Sequence, residues 1–179
     1  MGVDKEAEAV RIALQRTAAK RSRLTFEVQD LNDLPASHGR FDAIALIDTI
    51  YFSTDYTRTV RALRTRLAAE GRILVFYSIG PALLETETIP KTILEAGNTP
   101  LAEALRGGGL DFFAIDLTGS DHELALHRKA YLDGRKADFE AEGITFVWEN
   151  RMADSIDIIK WIEQGRHRRY LYVAAERKG

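Results

Sequence analysis

Three aspartates stand where apolar runs end: Asp4 after GV, Asp30 after LTFEV, and Asp48 after FDAIALI. Carboxylates so placed can accept charge-assisted hydrogen bonds from hydroxyl or amino groups, or take a proton from a nucleophile. Tyr51 and Phe52 follow Asp48 closely and can wall a ligand or offer a ring face to a cation. His122 and His127, in a long polar stretch, are further candidates for a base. Each of these residues also has a plain structural reading. An acid at a strand end can cap a helix, a histidine can sit on a helix surface, and Tyr51 can be a core or rim aromatic. The shared placement of the three acids is what points to a site.

Elements must bring these residues together. LTFEVQD (24–30) alternates and reads as a strand, with DLNDLP (30–35) its polar exit. FDAIALI (41–47) is apolar at successive positions, as expected of a central parallel strand covered on both faces. Helices are predicted over 5–20 and 54–70, the second with Thr54 as N-cap and Gly71 as its stop. GRILVFYS (71–78) is another buried strand. Strand, helix, strand in this order predicts a doubly wound α/β fold with right-handed crossovers. The sheet is expected to be mostly parallel, with strands 41–47 and 71–76 adjacent and the C-terminal strand 168–176 antiparallel at the far side. In such a sheet ligands sit beyond the carboxyl ends of the strands, which gathers Asp4, Asp30 and Asp48 along one edge.

In the second half, 81–106 reads as helical pieces broken by Pro90, Gly97 and Pro100, and LDFFAIDLT as a strand. Residues 120–142 are helical in composition with Gly134 a weak point. ITFVWEN is a strand or an extended loop, and 153–164 a helix. The whole, 1–179, forms one domain in which 81–106 and 120–165 are helical segments covering the substrate side.

Composition excludes several classes. The chain has 179 residues, 45% hydrophobic and 29% charged, enough for one real core. A net charge of -2 gives no bulk pull toward nucleic acid. The run RHRR at 166–169 reads as a solvated turn. With no cysteine there are no disulfides or thiolate chemistry. His38, His122, His127 and His167 form no compact metal-ligand motif. No apolar stretch approaches a membrane span and no signal peptide opens the chain, so a cytoplasmic protein is expected.

The segments GVDKEAEAVRIALQR, FEVQDLNDLP, FDAIALIDTIYFSTD and LRTRLAAEGRILVF, in this order and spacing, resemble the Rossmann-like S-adenosylmethionine-dependent methyltransferases. LDFFAIDLTGSD and GRHRRYLYVAAER resemble the closing strands of the family's small-molecule members. The resemblance implies S-adenosyl-L-methionine as cofactor and methyl transfer to a small-molecule acceptor. It implies that Asp4 accepts from both ribose hydroxyls, that Asp30 meets the adenine amino group with Leu31 packed near the base, and that Asp48 lies beside the methionine end and the substrate mouth. For an acceptor that must lose a proton, Asp48, His122 and His127 are the candidate bases, with Tyr51 and Phe52 on the substrate side.

One part of the family pattern has no counterpart. Its glycine-rich turn, after the first strand, would fall ahead of Asp4. The resemblance therefore implies either a fragment without the first strand and that turn, or a gap filled by another chain or a rearranged sheet, and weak or no transfer by the chain alone. It also implies either disorder at 1–5 or self-association through the exposed sheet edge. Two other readings stay open: a non-catalytic interaction protein that keeps the scaffold, and a nicotinamide-dependent oxidoreductase, which shares the strand-end acids.

Overall fold

A computed structural model describes residues 1–34, 39–86 and 88–177. Pro35 and His38 lie outside the described residues. Two sheets form. The smaller pairs β1 (Gly2–Asp4) with β2 (Phe26–Val28) in parallel, joined by helix α1 (Ala7–Arg16) and a 3-10 turn at Ala18–Lys20. The expected disorder at 1–5 is not seen: Gly2 donates to the Thr25 carbonyl and Gln29 to the Asp4 carbonyl, 2.8 and 2.9 Å.

The larger sheet contains β3 (Phe41–Ile47), β4 (Leu67–Ile79), β5 (Leu110–Asp116) and β6 (Arg168–Glu176) in the order β3-β4-β6-β5. β3 and β4 are adjacent and parallel, and β6 is antiparallel to both β4 and β5. The fold is thus α/β with a parallel part and an antiparallel C-terminal part, as expected. β6, however, lies between β4 and β5, so that β5 holds the far edge.

Three local expectations are corrected. Helix α2 covers only Tyr56–Arg64. Its cap is Asp55, whose carboxylate accepts from the Arg58 amide at 2.9 Å, while Thr54 instead bonds to Asn32. Leu67, in phase with the helix, belongs to β4. Ala68, Ala69 and Glu70 are passable helix formers, but here the register against β3 slips: Phe41 faces Leu67, and Ala43 faces Arg72. Gly71 serves that bulge and not a helix end, since a Cβ would stand 2.8 Å from the Phe41 carbonyl oxygen. ITFVWEN enters α7 (Thr145–Glu163), a helix where a strand or loop was expected. Its β-branched and aromatic residues are overridden by packing of α7 on α5 (Thr118–Leu132), where Trp148 donates to the Leu132 carbonyl at 2.9 Å.

The third correction concerns β3. Two covered faces were expected, yet Ala43, Ala45 and Ile47 are exposed, Ile47 by 62%. Ile44 and Leu46 face the core, which lies on one side of the large sheet. There Ile73, Val75, Tyr77 and Ile79 of β4 meet Val60 and Leu63 of α2, and Leu101 and Leu105 of α4 (Pro100–Gly107). Tyr172 closes this layer, fully buried, its hydroxyl bonded to Thr99 at 2.8 Å. Each such side chain contributes roughly 1.5–3 kcal/mol by burial.

The 81–106 region is α3 (Pro81–Leu84), two 3-10 turns and α4, and the 120–142 region breaks at Gly134 (φ 73°) before α6 (Lys136–Ala141). Among the described residues no helix is long and apolar enough to cross a membrane, and no group of three acids, histidines or cysteines could hold a metal.

Candidate functional site

The carboxyl ends of β1, β2 and β3 converge. Lys5, one residue past β1, lies over the Phe52 ring, 5.6 Å from its centre. Asn32, beyond β2, donates to the Phe52 carbonyl at 3.0 Å and accepts from the Thr54 amide at 2.8 Å. These bridges hold the small sheet against the exit of β3. Between the sheets lies a cleft of about 620 Å³. Its polar lining includes Asp4, Glu6, Asp30 and Asn32, and its apolar lining Val3, Phe41, Ala43–Leu46 and Leu63.

Local turn chemistry fixes two of these acids, Asp4 and Asp30. The Asp4 carboxylate accepts from the Glu6 amide at 2.8 Å, just ahead of α1. Asp30 accepts from the Asn32 amide at 2.8 Å and from the Asn32 side chain at 2.9 Å. These bonds favour the charged form and hold the Asp30 carboxyl below its ordinary range. Leu31 and Phe52 also line the cleft. Four sequence-derived candidates, Asp4, Asp30, Leu31 and Phe52, thus meet in one place.

Asp48 does not line the cleft, although its neighbour Thr49 does. Its backbone is left-handed (φ 52°) and its carboxylate takes a bidentate pair from Arg169, at 2.6 and 2.7 Å. Arg169 also donates to the Ser78 hydroxyl at 2.7 Å. Burial disfavours the Arg169 cation, but the hydrogen bonds and charge of Asp48 outweigh it and raise its pKa. Both carboxylate oxygens being engaged, Asp48 serves this structure as an anchor tying β3 to β6. Tyr51 stacks on Tyr77 with ring centres 5.4 Å apart, and its hydroxyl bonds to the Ser78 amide. Burial pushes this phenol up, so that it stays neutral.

His122 and His127 lie on α5, away from the cleft lining. His122 Nε2 is 3.4 Å from a Glu163 carboxylate oxygen but lacks hydrogen-bond geometry, and His127 is exposed. The run at 166–169 is no solvated turn. His167 is 5% exposed and pairs with Asp121 at 3.2 Å, while Arg169 holds Asp48. The sequence shows four basic or part-basic residues in a row. Nothing local reveals that alternation along β6 turns Arg169 toward acids 121 and 48 positions away. Asn32 was equally silent, a polar loop residue whose role is a bridge across 20 and 22 positions.

The antiparallel pairing sets Ser78 opposite Arg169 and Asp116 opposite Tyr170. The entry to β6 and the start of α5 therefore lie at the carboxyl ends of β3 and β4. The α5–α7 pair stands on that end of the sheet.

Residues 1–71 match the methyltransferase domain family. No curated protein matches by sequence. Among solved structures, phosphoethanolamine N-methyltransferase 2 of Haemonchus contortus superposes with TM-scores of 0.79 and 0.78 at 18% identity. One of its structures holds phosphomonomethylethanolamine and S-adenosylhomocysteine, the other S-adenosyl-L-methionine. The fold is that of the Rossmann-like methyltransferases. Two further members of this fold class are similar. A mycolic acid cyclopropane synthase has a TM-score of 0.73 at 15% identity, over 97% of this chain and 68% of its own. An O-methyltransferase of a Brevibacillus brevis multienzyme has 0.66 at 16%, over 98% and 57%. The methyltransferase-like chain aligns over 99% of its length but spans 43% of the Haemonchus enzyme.

Proposed function

We propose that the chain carries the adenosyl-side binding surface of an S-adenosylmethionine-dependent methyltransferase acting on a small molecule. The observation behind this reading is the convergence of Asp4, Asp30, Leu31 and Phe52 on one cleft, within a fold whose solved neighbours include complexes with this cofactor and its product.

The residues fit the group. Asp4, fixed by the Glu6 amide, offers acceptors to a pair of ribose hydroxyls. Asp30, held ionised by Asn32, offers one to an amino group, and Leu31 supplies an apolar surface for a base. When bound, S-adenosylmethionine supplies an electrophilic methyl group on a positively charged sulfur. The chain's own part is placement: in-line transfer depends on holding two reactants in one geometry, and little proton chemistry is needed unless the acceptor is protonated. For such an acceptor the candidate bases remain Asp48, His122 and His127. Asp48 could act only by releasing Arg169, so its part in this proposal is to position the end of β3 beside Thr49. Of the segments expected to cover the acceptor side, α3 follows the carboxyl end of β4 and α5–α7 stand at that end of the sheet, whereas α4 packs into the core; the net charge gives no pull toward nucleic acid.

The test is incubation with methyl-labelled cofactor and a panel of small amine and hydroxyl acceptors. Label transfer that falls in Asp4→Ala and Asp30→Ala supports the reading. Saturable binding without transfer would restrict the chain to cofactor binding. Neither binding nor transfer would favour an interaction protein built on this scaffold.

A further inference from the structure

β5 holds the edge of the large sheet farthest from the cleft and pairs only with β6. An exposed edge is a template for another strand, and proteins blunt it with lysine, proline or a bulge. β5, LDFFAID, has none of these. It runs seven residues and keeps one register against β6, from Leu110 opposite Glu176 to Asp116 opposite Tyr170. Its two acids sit near the ends, and Asp111 already accepts from Arg177, just past β6, at 3.0 Å. Parity decides which backbone groups are free. Leu117 donates to the Arg169 carbonyl at 2.8 Å, so by the alternation of an antiparallel ladder Ile115, Phe113 and Asp111 bond to β6. The N–H and C=O of Leu110, Phe112, Ala114 and Asp116 therefore point outward. Phe113 and Ile115 stand exposed on the side of the sheet away from the core, Phe113 by 59%. Phe112 and Ala114 are half-buried on the core side.

We propose that β5 is a dimer interface: two copies of this chain pair their β5 strands antiparallel about a two-fold axis at Phe113, joining two four-stranded sheets into one. The strand's own pattern selects this occupant. Its four outward-pointing residues are spaced symmetrically about Phe113. An axis there sets Phe112 against the partner's Ala114, and Leu110 against the partner's Asp116, with every donor facing an acceptor. A large side chain then meets a small one on the core side, where Phe112 packs on Tyr172 with ring centres 5.4 Å apart. On the other side Phe113 meets its own copy in a non-hydrogen-bonded pair, the arrangement that brings side chains closest. Aromatic pairs directly opposite one another stabilise a sheet. No acid faces an acid, because Asp111 lies opposite the partner's Ile115. Sliding the strands by two residues leaves two residues of each unpaired and loses the Phe113 contact. A self-complementary contact of this kind closes at two copies. The proposal does not rest on the cofactor reading, because β5 lies at the opposite edge of the sheet from β3.

The experiment measures the mass of the full chain in solution by sedimentation over a range of concentrations. The native sequence is expected to approach twice the mass of one chain as concentration rises. Phe113→Lys sets like charges opposite one another and is expected to stay at the single mass, as is Phe113→Glu. An equal mixture of the two variants is expected to regain the doubled mass. Because the chain has no cysteine, oxidation of single-cysteine variants reads the register. Phe113→Cys is expected to cross-link to itself, and Asp111→Cys only to Ile115→Cys. Ile47→Cys, exposed on the same side of the sheet at its far edge, is expected to stay free. A single mass at all concentrations, or a dimer that both charged variants keep, would overturn the proposal. Ready self-linking of Ile47→Cys would overturn it in favour of sheets stacked face to face. Circular dichroism checks that the charged variants fold, and where they do not, the cross-linking pattern decides. A cofactor titration run separately keeps failure here distinct from failure of the methyltransferase reading.

Discussion

The two sheets divide labour unequally. The large sheet with α2 and α4 holds nearly the whole buried core, including Ile73, Tyr77, Leu101, Leu105 and Tyr172 at 0% exposure. The β1–β2 lobe buries one large apolar side chain of α1, Val10, and joins the rest through Asn32 and Lys5. Yet that lobe carries Asp4, Asp30 and Leu31. Stability is concentrated where the candidate cofactor residues are not, so the two properties are separable by mutation. Local opening free energies differ widely within one protein when packing does, and this chain offers a sharp internal contrast.

The largest expected effect tests that contrast. Leu101→Ala should cost about 2–5 kcal/mol by the cavity it leaves in the closed layer, and Val10→Ala in α1 markedly less. Paired denaturant titrations measure both. Equal losses would show that the lobe is as tightly packed as the core. Next, Arg169→Met removes the anchor between β6 and the end of β3. Asp48 is 48% exposed and can regain water, so the cost is set at about 1–2 kcal/mol. A loss near zero would mean the pair is ornamental to folding.

A smaller effect follows from pH. Burial would raise the Asp121 carboxyl, but the His167 imidazole at 3.2 Å and the nearby Arg169 charge outweigh it and hold it below the ordinary carboxylate range. A native pKa below the unfolded value means the unfolded chain binds the proton more readily. The stabilisation is therefore complete above the unfolded pKa of about 3.9 and is lost as pH falls through the native value. Asp121→Asn should flatten the acid limb of stability against pH and leave the lobe's hydrogen exchange unchanged.

The strands β3 and β4 and their parallel pairing were legible because apolar runs such as FDAIALI and GRILVFYS have few alternatives, whereas the place of β6 between β4 and β5 was not. The end of α2 was not, because Leu67 satisfies a helical period and a buried strand alike, and a bulge at Ala68–Gly71 is decided by pairing with Phe41. The strand-end rule brought Asp4 and Asp30 to one cleft, where short local turns fix their positions. It could not find that Asp48 is turned to Arg169, nor that His167 is buried. Those are facts of antiparallel pairing 121 and 46 residues apart. Nor could periodicity tell that β3 is an edge with one bare face, since composition is blind to which neighbours a strand has.

The central claim is that the β1–β2 lobe binds the adenosyl part of S-adenosylmethionine. Calorimetric titration of the chain with the cofactor, and of Asp4→Ala and Asp30→Ala, tests it most directly. Each carboxylate lost removes charge-assisted bonds worth about 1.5–3 kcal/mol, about tenfold or more in affinity. Arg169→Met, outside the cleft lining, should change affinity far less. Saturable binding weakened in that pattern is the predicted result. Binding indifferent to both aspartates, or lost equally on replacing Arg169, would contradict it.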